Sequence, residues 1–181
     1  MKFNLLNRSE LWKQPFFHGF VTDRLSVTPM VAADINQFQG SGITPDILFF
    51  VNSLDSLTNL EQWLRDVFKK INYFLFIVQK RETKKDQSNL PVGVLMLYRA
   101  GDSTIEIGGW INKEAQGRRY ASEVIHSLVK FLKNGATQGH LCAEIAAENL
   151  LAEKVLFKNG FVSGVVGSND KKKTYYVDVT K

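Results

Sequence analysis

What this chain has little of narrows its chemistry first. A single cysteine, Cys142, excludes an internal disulfide and a cysteine-based zinc cluster. Three histidines, far apart along the chain, offer no metal-ligand spacing, so no metal is expected. No run reaches the roughly 18 consecutive apolar residues of a membrane span, and no membrane partner is expected. The opening residues, MKFNLLNRSELWK, lack the apolar stretch and small-residue cleavage site of a secretory signal, which points to a reduced, cytoplasmic setting. Internal repeats, linkers and low-complexity tracts are missing too. The net charge of +5 favours acidic partners only mildly. Its basic residues are scattered over loops and are not interleaved with aromatics on one face, so a nucleic-acid partner is not expected. Two phosphate-binding signatures are also absent: there is no GxxxxGK(S/T) and no GxGxxG.

What is present fits one globular domain spanning residues 1–181, long enough to bury a full core. "TDRLSVTPM" alternates Leu25 and Val27 with polar residues, as a half-buried strand does. A short helix over "VAADINQF" and a longer one over "NSLDSLTNLEQWLRDVFKKI" follow, the second with Leu57, Leu60, Trp63, Leu64, Val67 and Phe68 at helical spacing. "YFLFIVQK" and "PVGVLMLYRA" are the next strands, joined by the polar loop "RETKKDQSN". "TIEIGGWIN" is a further strand, whose paired glycines mark a bulge or a close backbone approach by a ligand. A helix with Ala121, Val124, Ile125, Leu128, Val129 and Leu132 on one face comes next, then the strand "HLCAEIAAE". "NLLAEKVLFKNGF" is a helix with Leu151, Ala152, Val155 and Leu156 inward and Asn159-Gly160 as its stop. "VSGVVGSNDKKKTYYVDV" closes the chain as a hairpin, with Lys171–Lys173 in its exposed loop. The order predicts a mixed α/β sheet with helices on both faces.

One junction carries chemistry of its own. "AQGRRYASEVIHSLVKFL" joins a strand to a helix through a loop of one glycine and two arginines. The first turn of a helix has unpaired N–H groups and a partial positive charge, and phosphates bind well there. Gly117 lets backbone come close, and Arg118 and Arg119 add charge. Taken alone, the segment reads equally as a solvated basic helix start.

Its surroundings separate the two readings. "QGRRYA" resembles the acetyl-CoA diphosphate loop of the GNAT N-acetyltransferases, Q/R-x-x-G-x-G/A, with Gln116 at the first position, Ala121 at the last, and Arg119 where the family has its central glycine. "DRLSVTPM", "PVGVLMLY", "IEIGGWIN" and "ENLLAEKVLFKNGF" resemble, in order and spacing, the corresponding segments of the RimJ/RimL-like branch, over about Thr22 to Asp178.

The resemblance implies a GNAT fold: a mixed, mostly antiparallel central sheet whose fourth and fifth predicted strands are parallel and splayed. It implies acetyl-CoA as co-substrate, with backbone of Gly109, Trp110 and Ile111 along the pantetheine and the N–H groups of Gly117, Arg118, Arg119, Tyr120 and Ala121, after Gln116, around the diphosphate. Asn149 would reach the pantetheine portion; a plain helix N-cap also fits it. Arg119 would aim outward from ordinary helical geometry, along the phosphates or the adenine-ribose end.

The reaction implied is direct transfer of the acetyl group to a primary amine: a protein N-terminus, a polyamine or a small molecule. The amine must lose its proton to attack, and Glu106, on the face opposite Ile105 and Ile107, is the candidate base. The family's usual tyrosine acid is replaced by Leu156, and the branch's serine near the thiol by Ala152. Tyr176 or Tyr175 is left to protonate the thiolate, which can also leave unaided because its thiol is acidic enough. Phe49, Phe50 and Trp63 would line the acceptor side or belong to helix core, and Asp46, Asp55 and Glu61 lie in the same region. Cys142 reads as a core strand residue. The assembly implied is a monomer or homodimer. The departures at Arg119, Ala152 and Leu156 keep a second class open, a non-catalytic acyl-CoA-binding or sensor protein.

Overall fold

A computed structural model describes residues 18–31, 33–34, 66, 73–81, 91–100, 104–134, 139–164 and 171–180. Eight strands form one sheet: β1 (Phe20–Val21), β2 (Leu25–Pro29), β3 (Tyr73–Lys80), β4 (Pro91–Arg99), β5 (Thr104–Ile111), β6 (His140–Ala146), β7 (Val162–Ser163) and β8 (Lys172–Asp178). Their order across the sheet is β1-β2-β3-β4-β5-β6-β8-β7. Every neighbouring pair is antiparallel except β5 and β6. A parallel pair needs a crossover. Here α1 (Tyr120–Asn134) provides it, and α2 (Leu150–Lys158) follows β6.

The central strands β3 and β4 are nearly continuous apolar runs because both of their faces are buried. One face carries Leu25, Val27, Phe76, Leu97, Ile107, Leu141, Tyr175 and Val177, which join Val124, Leu128 and Leu132 of α1 and Leu156 of α2 in a single core. The i, i+4, i+8 spacing of those α1 residues is the stripe that packs down, and His126 and Lys130 stay exposed. The expected helices over "VAADINQF" and "NSLDSLTNLEQWLRDVFKKI" lie outside the described residues, apart from Val31, Ala33, Asp34 and Asp66.

Two local expectations are corrected. Leu151 is 76% exposed, not inward. The nine-residue α2 buries Leu156 and only half-buries Ala152 and Val155, so its apolar stripe is narrower than the spacing implied. Lys172 and Lys173 are not loop residues. They begin β8, and strand alternation sends them to opposite faces: Lys172 pairs with Glu144 at 3.0 Å and Lys173 with Glu153 at 3.3 Å.

Candidate active site

The parallel ladder is short. β5 and β6 are in register at Thr104↔His140, Ile105↔Leu141 and Glu106↔Cys142, and the pairing stops there. β5 runs on to Ile111 and β6 to Ala146, so the two strands part beyond Glu106 and Cys142. Glu106 and Cys142 therefore stand at the last rung before the opening.

Cross-strand register extends that rung into a row. Tyr73 faces Tyr98, Tyr98 faces Glu106, Glu106 faces Cys142, and Cys142 faces Tyr176. Residues directly opposite one another lie on the same side of a sheet. The row is thus on the face opposite Ile105 and Ile107, as alternation predicted for Glu106. The Tyr73 and Tyr98 rings stack with centroids 4.6 Å apart. Burial raises the Glu106 pKa, the Glu144 carboxylate raises it further, and the Lys172 ammonium partly offsets both. Tyr73 is also pushed up, by burial and then by Tyr98 and Glu106. The Cys142 thiol rises to about 11, through burial and the two carboxylates, so it stays protonated near neutrality.

The two closing tyrosines separate by face. Tyr175 is 1% exposed in the core, edge-on to Phe157, and its hydroxyl donates to Glu153 on α2. Burial and that carboxylate push it up to about 12. Tyr176 lies in the Glu106 row and is 38% exposed. It is two strand spacings from Glu106, roughly 10 Å, with Cys142 between them.

At the other end of β5 the backbone is tightly fixed. Gly109 has φ 138°, and a Cβ there would lie 2.1 Å from the Val94 carbonyl oxygen. Glycine is required here by the close packing of β4's own backbone. Buried Asn112 accepts from Trp110 Nε1 at 3.2 Å and donates to the Pro91 carbonyl at 2.8 Å. Gln116 Nε2 reaches back to the Ile111 carbonyl at 2.9 Å, which ties the loop to the strand.

The loop itself differs from expectation in one respect. Gly117 has φ 73°, and Arg119 has φ 65°. Arg119 is therefore in the left-handed region and not in ordinary helical geometry. That conformation costs an L-residue about 1–2 kcal/mol relative to the right-handed one. The position resembles the family's central glycine because the backbone there requires what glycine adopts freely. A Cβ built on Gly117 meets nothing within 4 Å, so the loop's outer side is open. Arg118 and Arg119 are exposed, whereas Tyr120 is buried in the core as the first residue of α1.

Sequence reasoning missed what holds this loop. Glu123, one turn into α1, accepts from the Arg24 backbone N–H at 2.9 Å, from Arg24 Nε at 2.7 Å and from the Thr22 hydroxyl. Arg24 NH2 is 2.6 Å from the same carboxylate and donates to the Arg118 carbonyl at 3.0 Å. Its guanidinium lies 4.7 Å from the Tyr120 ring centroid. Burial raises the Glu123 pKa, but the Thr22 hydroxyl and the Arg24 contacts outweigh it and hold the carboxyl below the usual range. Thr22-x-Arg24-Leu25 lies in the segment that resembles the first strand of the RimJ/RimL-like branch, but nothing local in it points to Glu123.

Asn149 caps α2: its Oδ1 accepts from Ala152 N at 3.0 Å. Phe49, Phe50, Trp63, Asp46, Asp55 and Glu61 lie outside the described residues.

The model of the Acetyltransferase (GNAT) domain family matches residues 24–162. The chain belongs to the GNAT acetyltransferase family. Solved structures share the fold at low identity. An acetyltransferase (GNAT family) from Bacillus anthracis is 18% identical with a TM-score of 0.69, over 89% of this chain and 98% of that one. A domain from Methanocaldococcus jannaschii is 19% identical with a TM-score of 0.71, over 86% and 99%. Spermidine N-acetyltransferase from Vibrio cholerae, solved with CoA and spermine, is 16% identical with a TM-score of 0.63, over 85% and 95%. No curated protein matches. The mixed sheet with its one parallel pair is the GNAT fold. Among the described residues of this GNAT chain, no helix is long and apolar enough to cross a membrane.

Proposed function

We propose that this chain is a cytoplasmic, single-domain N-acetyltransferase of the RimJ/RimL-like branch, moving an acetyl group from acetyl-CoA to a primary amine. The observation that carries this reading is the parting of β5 and β6 just beyond a half-buried carboxylate, Glu106. An opening between parallel strands admits an extended arm that pairs with backbone, here along Gly109, Trp110 and Ile111. The positive-φ loop and the first turn of α1 suit a diphosphate: the N–H groups of Gly117 to Ala121 would hold it on the open side at Gly117, with Arg118 and Arg119 exposed nearby. Asn149 Oδ1 is taken by its helix, so its amide NH2 is the group that would donate to the pantetheine.

Glu106 acts as the base. Its raised pKa suits it to take a proton from an ammonium near neutrality, directly or through water. The freed amine nitrogen bonds to the acetyl carbon, the C–S bond breaks with its electron pair going to sulfur, and the nitrogen releases its second proton to solvent as the neutral amide forms. Tyr176 supplies the proton to that sulfur. With Glu144 paired to Lys172, Glu106 is the carboxylate that would face a cationic acceptor such as a polyamine or a protein N-terminus. The spermidine enzyme with this fold lends weight to the first.

A second reading, a non-catalytic acyl-CoA sensor, is favoured by Leu156, which is 3% exposed in the core where many relatives carry the acid. Thiol release from acetyl-CoA against a panel of N-terminal peptides, polyamines and small amines distinguishes the two. Turnover with at least one class is expected, and it should fall in both Glu106→Gln and Tyr176→Phe. Acetyl-CoA binding with no turnover across the panel would favour the sensor.

A further inference from the structure

The segment from Gln116 to Ala121 meets its ligand through backbone, so its affinity depends on what fixes that backbone. Arg119 occupies a conformation its own side chain disfavours, and something outside the loop must hold it. The structure provides one candidate. Arg24, some ninety residues earlier in the chain, places one guanidinium nitrogen on the Arg118 carbonyl at 3.0 Å. That carbonyl belongs to the peptide leading into Arg119. The same guanidinium is fixed from two further directions, by the Glu123 carboxylate at 2.6–2.7 Å and by the Tyr120 ring at 4.7 Å. Glu123 is held in turn by the Thr22 hydroxyl and the Arg24 backbone N–H.

We propose that Arg24, locked by Glu123, is a positioning residue for the diphosphate loop: it pins the Arg118 carbonyl and so keeps the Gly117–Arg119 backbone in the conformation that turns the first-turn N–H groups of α1 toward an anion. The inference rests on reading residues 116–121 as the CoA diphosphate loop. A guanidinium suits the task and an ammonium does not, because one planar group must serve a carboxylate and a carbonyl while stacking on a ring. Arg24 is half-exposed, yet its contacts run to the loop and to α1, and none is required for the anion to reach the open side above Gly117.

The test is calorimetric binding of two probes, CoA and pantetheine, to the full chain. Pantetheine lacks the diphosphate. Arg24→Lys keeps the charge and loses the fork; Glu123→Gln keeps the shape and loses the carboxylate. Each should weaken CoA about tenfold and leave pantetheine within about twofold. A general loosening of the fold would weaken both probes together. In an Arg119→Gly background the loss of CoA affinity in Arg24→Lys should shrink to about threefold or less, since glycine holds a positive φ without outside help. The inference is overturned if Arg24→Lys binds CoA like the parent chain, if both probes weaken equally, or if the loss is the same in the Arg119→Gly background. Should Arg24→Lys fail to fold, Glu123→Gln gives the same readings. A parent chain that binds pantetheine but gains nothing from CoA's diphosphate overturns the reading of the loop itself. A parent chain that binds the diphosphate while the variants are unchanged overturns only the role of Arg24.

Discussion

The two ends of the β5 strand are built on different principles. Around residues 116–123 the chain is fixed by directed bonds: Gln116 to Ile111, Arg24 to Arg118 and Glu123, Thr22 to Glu123. At the Glu106 row the distinguishing feature is a field. Burial and a second carboxylate raise Glu106, and the same surroundings raise Cys142 and Tyr73. An anion-holding loop needs its N–H groups in fixed places, so geometry dominates there. A proton acceptor needs a pKa near the working pH, so environment dominates at the row. The comparison predicts a division of effects: changes in the row should act on turnover, and changes in the loop on cofactor affinity and stability.

The largest effect should come from the row. Glu106→Gln keeps the shape and removes the proposed base, and kcat should fall by about 10²–10⁴. The sign of its pH dependence follows from the direction of the shift. Glu106 must be ionised to accept a proton, and burial with Glu144 raises its pKa above the ordinary glutamate value. In the parent chain kcat/KM should therefore rise with pH through a limb lying above the usual carboxylate range. In Glu106→Gln that limb should vanish, and only the limb from the acceptor amine's own ionisation should remain. A full pH–rate profile of both proteins checks this. If kcat holds and acetyl-CoA affinity falls instead, the division between the two regions is wrong.

The next effect tests the start of α2. Asn149 Oδ1 accepts from Ala152 N, so Asn149→Ala removes an N-cap worth about 1 kcal/mol. A lower midpoint in urea with an unchanged slope is the expected result. CoA affinity should fall as well if the amide NH2 also serves the pantetheine. A stability loss without an affinity loss would assign Asn149 to the fold alone.

These regions were not equally legible in the sequence. Strands β3 and β4 could be read to within one residue, because apolar runs bounded by polar loops have few other outcomes. The face of Glu106 followed from alternation with Ile105 and Ile107. The choice between Tyr175 and Tyr176 did not, since it depends on the register of β8 against β6, which local pattern leaves open. Lys171–Lys173 read as a solvated loop on composition, yet Lys172 and Lys173 find carboxylates across strands and on α2. Leu151 looked inward because the spacing of a short helix does not fix its rotation. The Arg24–Glu123 clamp joins residues far apart in sequence, and no local pattern could pair them.

Arg119 gives the smallest effect and the sharpest one. Its φ of 65° places an L-residue where glycine has the advantage. Arg119→Gly removes about 1–2 kcal/mol of backbone strain from the folded state. Against this, glycine gains more freedom in the unfolded chain, which returns roughly 0.4–1 kcal/mol. The net should be stabilising by about 1 kcal/mol, and the melting temperature should rise by about 2–4 °C for a chain of this size. The lost guanidinium is exposed, and an exposed charge contributes only about 0–1 kcal/mol to an ion pair. CoA affinity should therefore drop no more than about fivefold, and less at high salt. A substitution that raises stability while slightly lowering affinity would mean that the backbone forms the cradle and the side chain adjusts it. Complete loss of binding would reverse that assignment: the arginine would be the ligand's main contact, and the strain at φ 65° would be what holds its side chain over the anion.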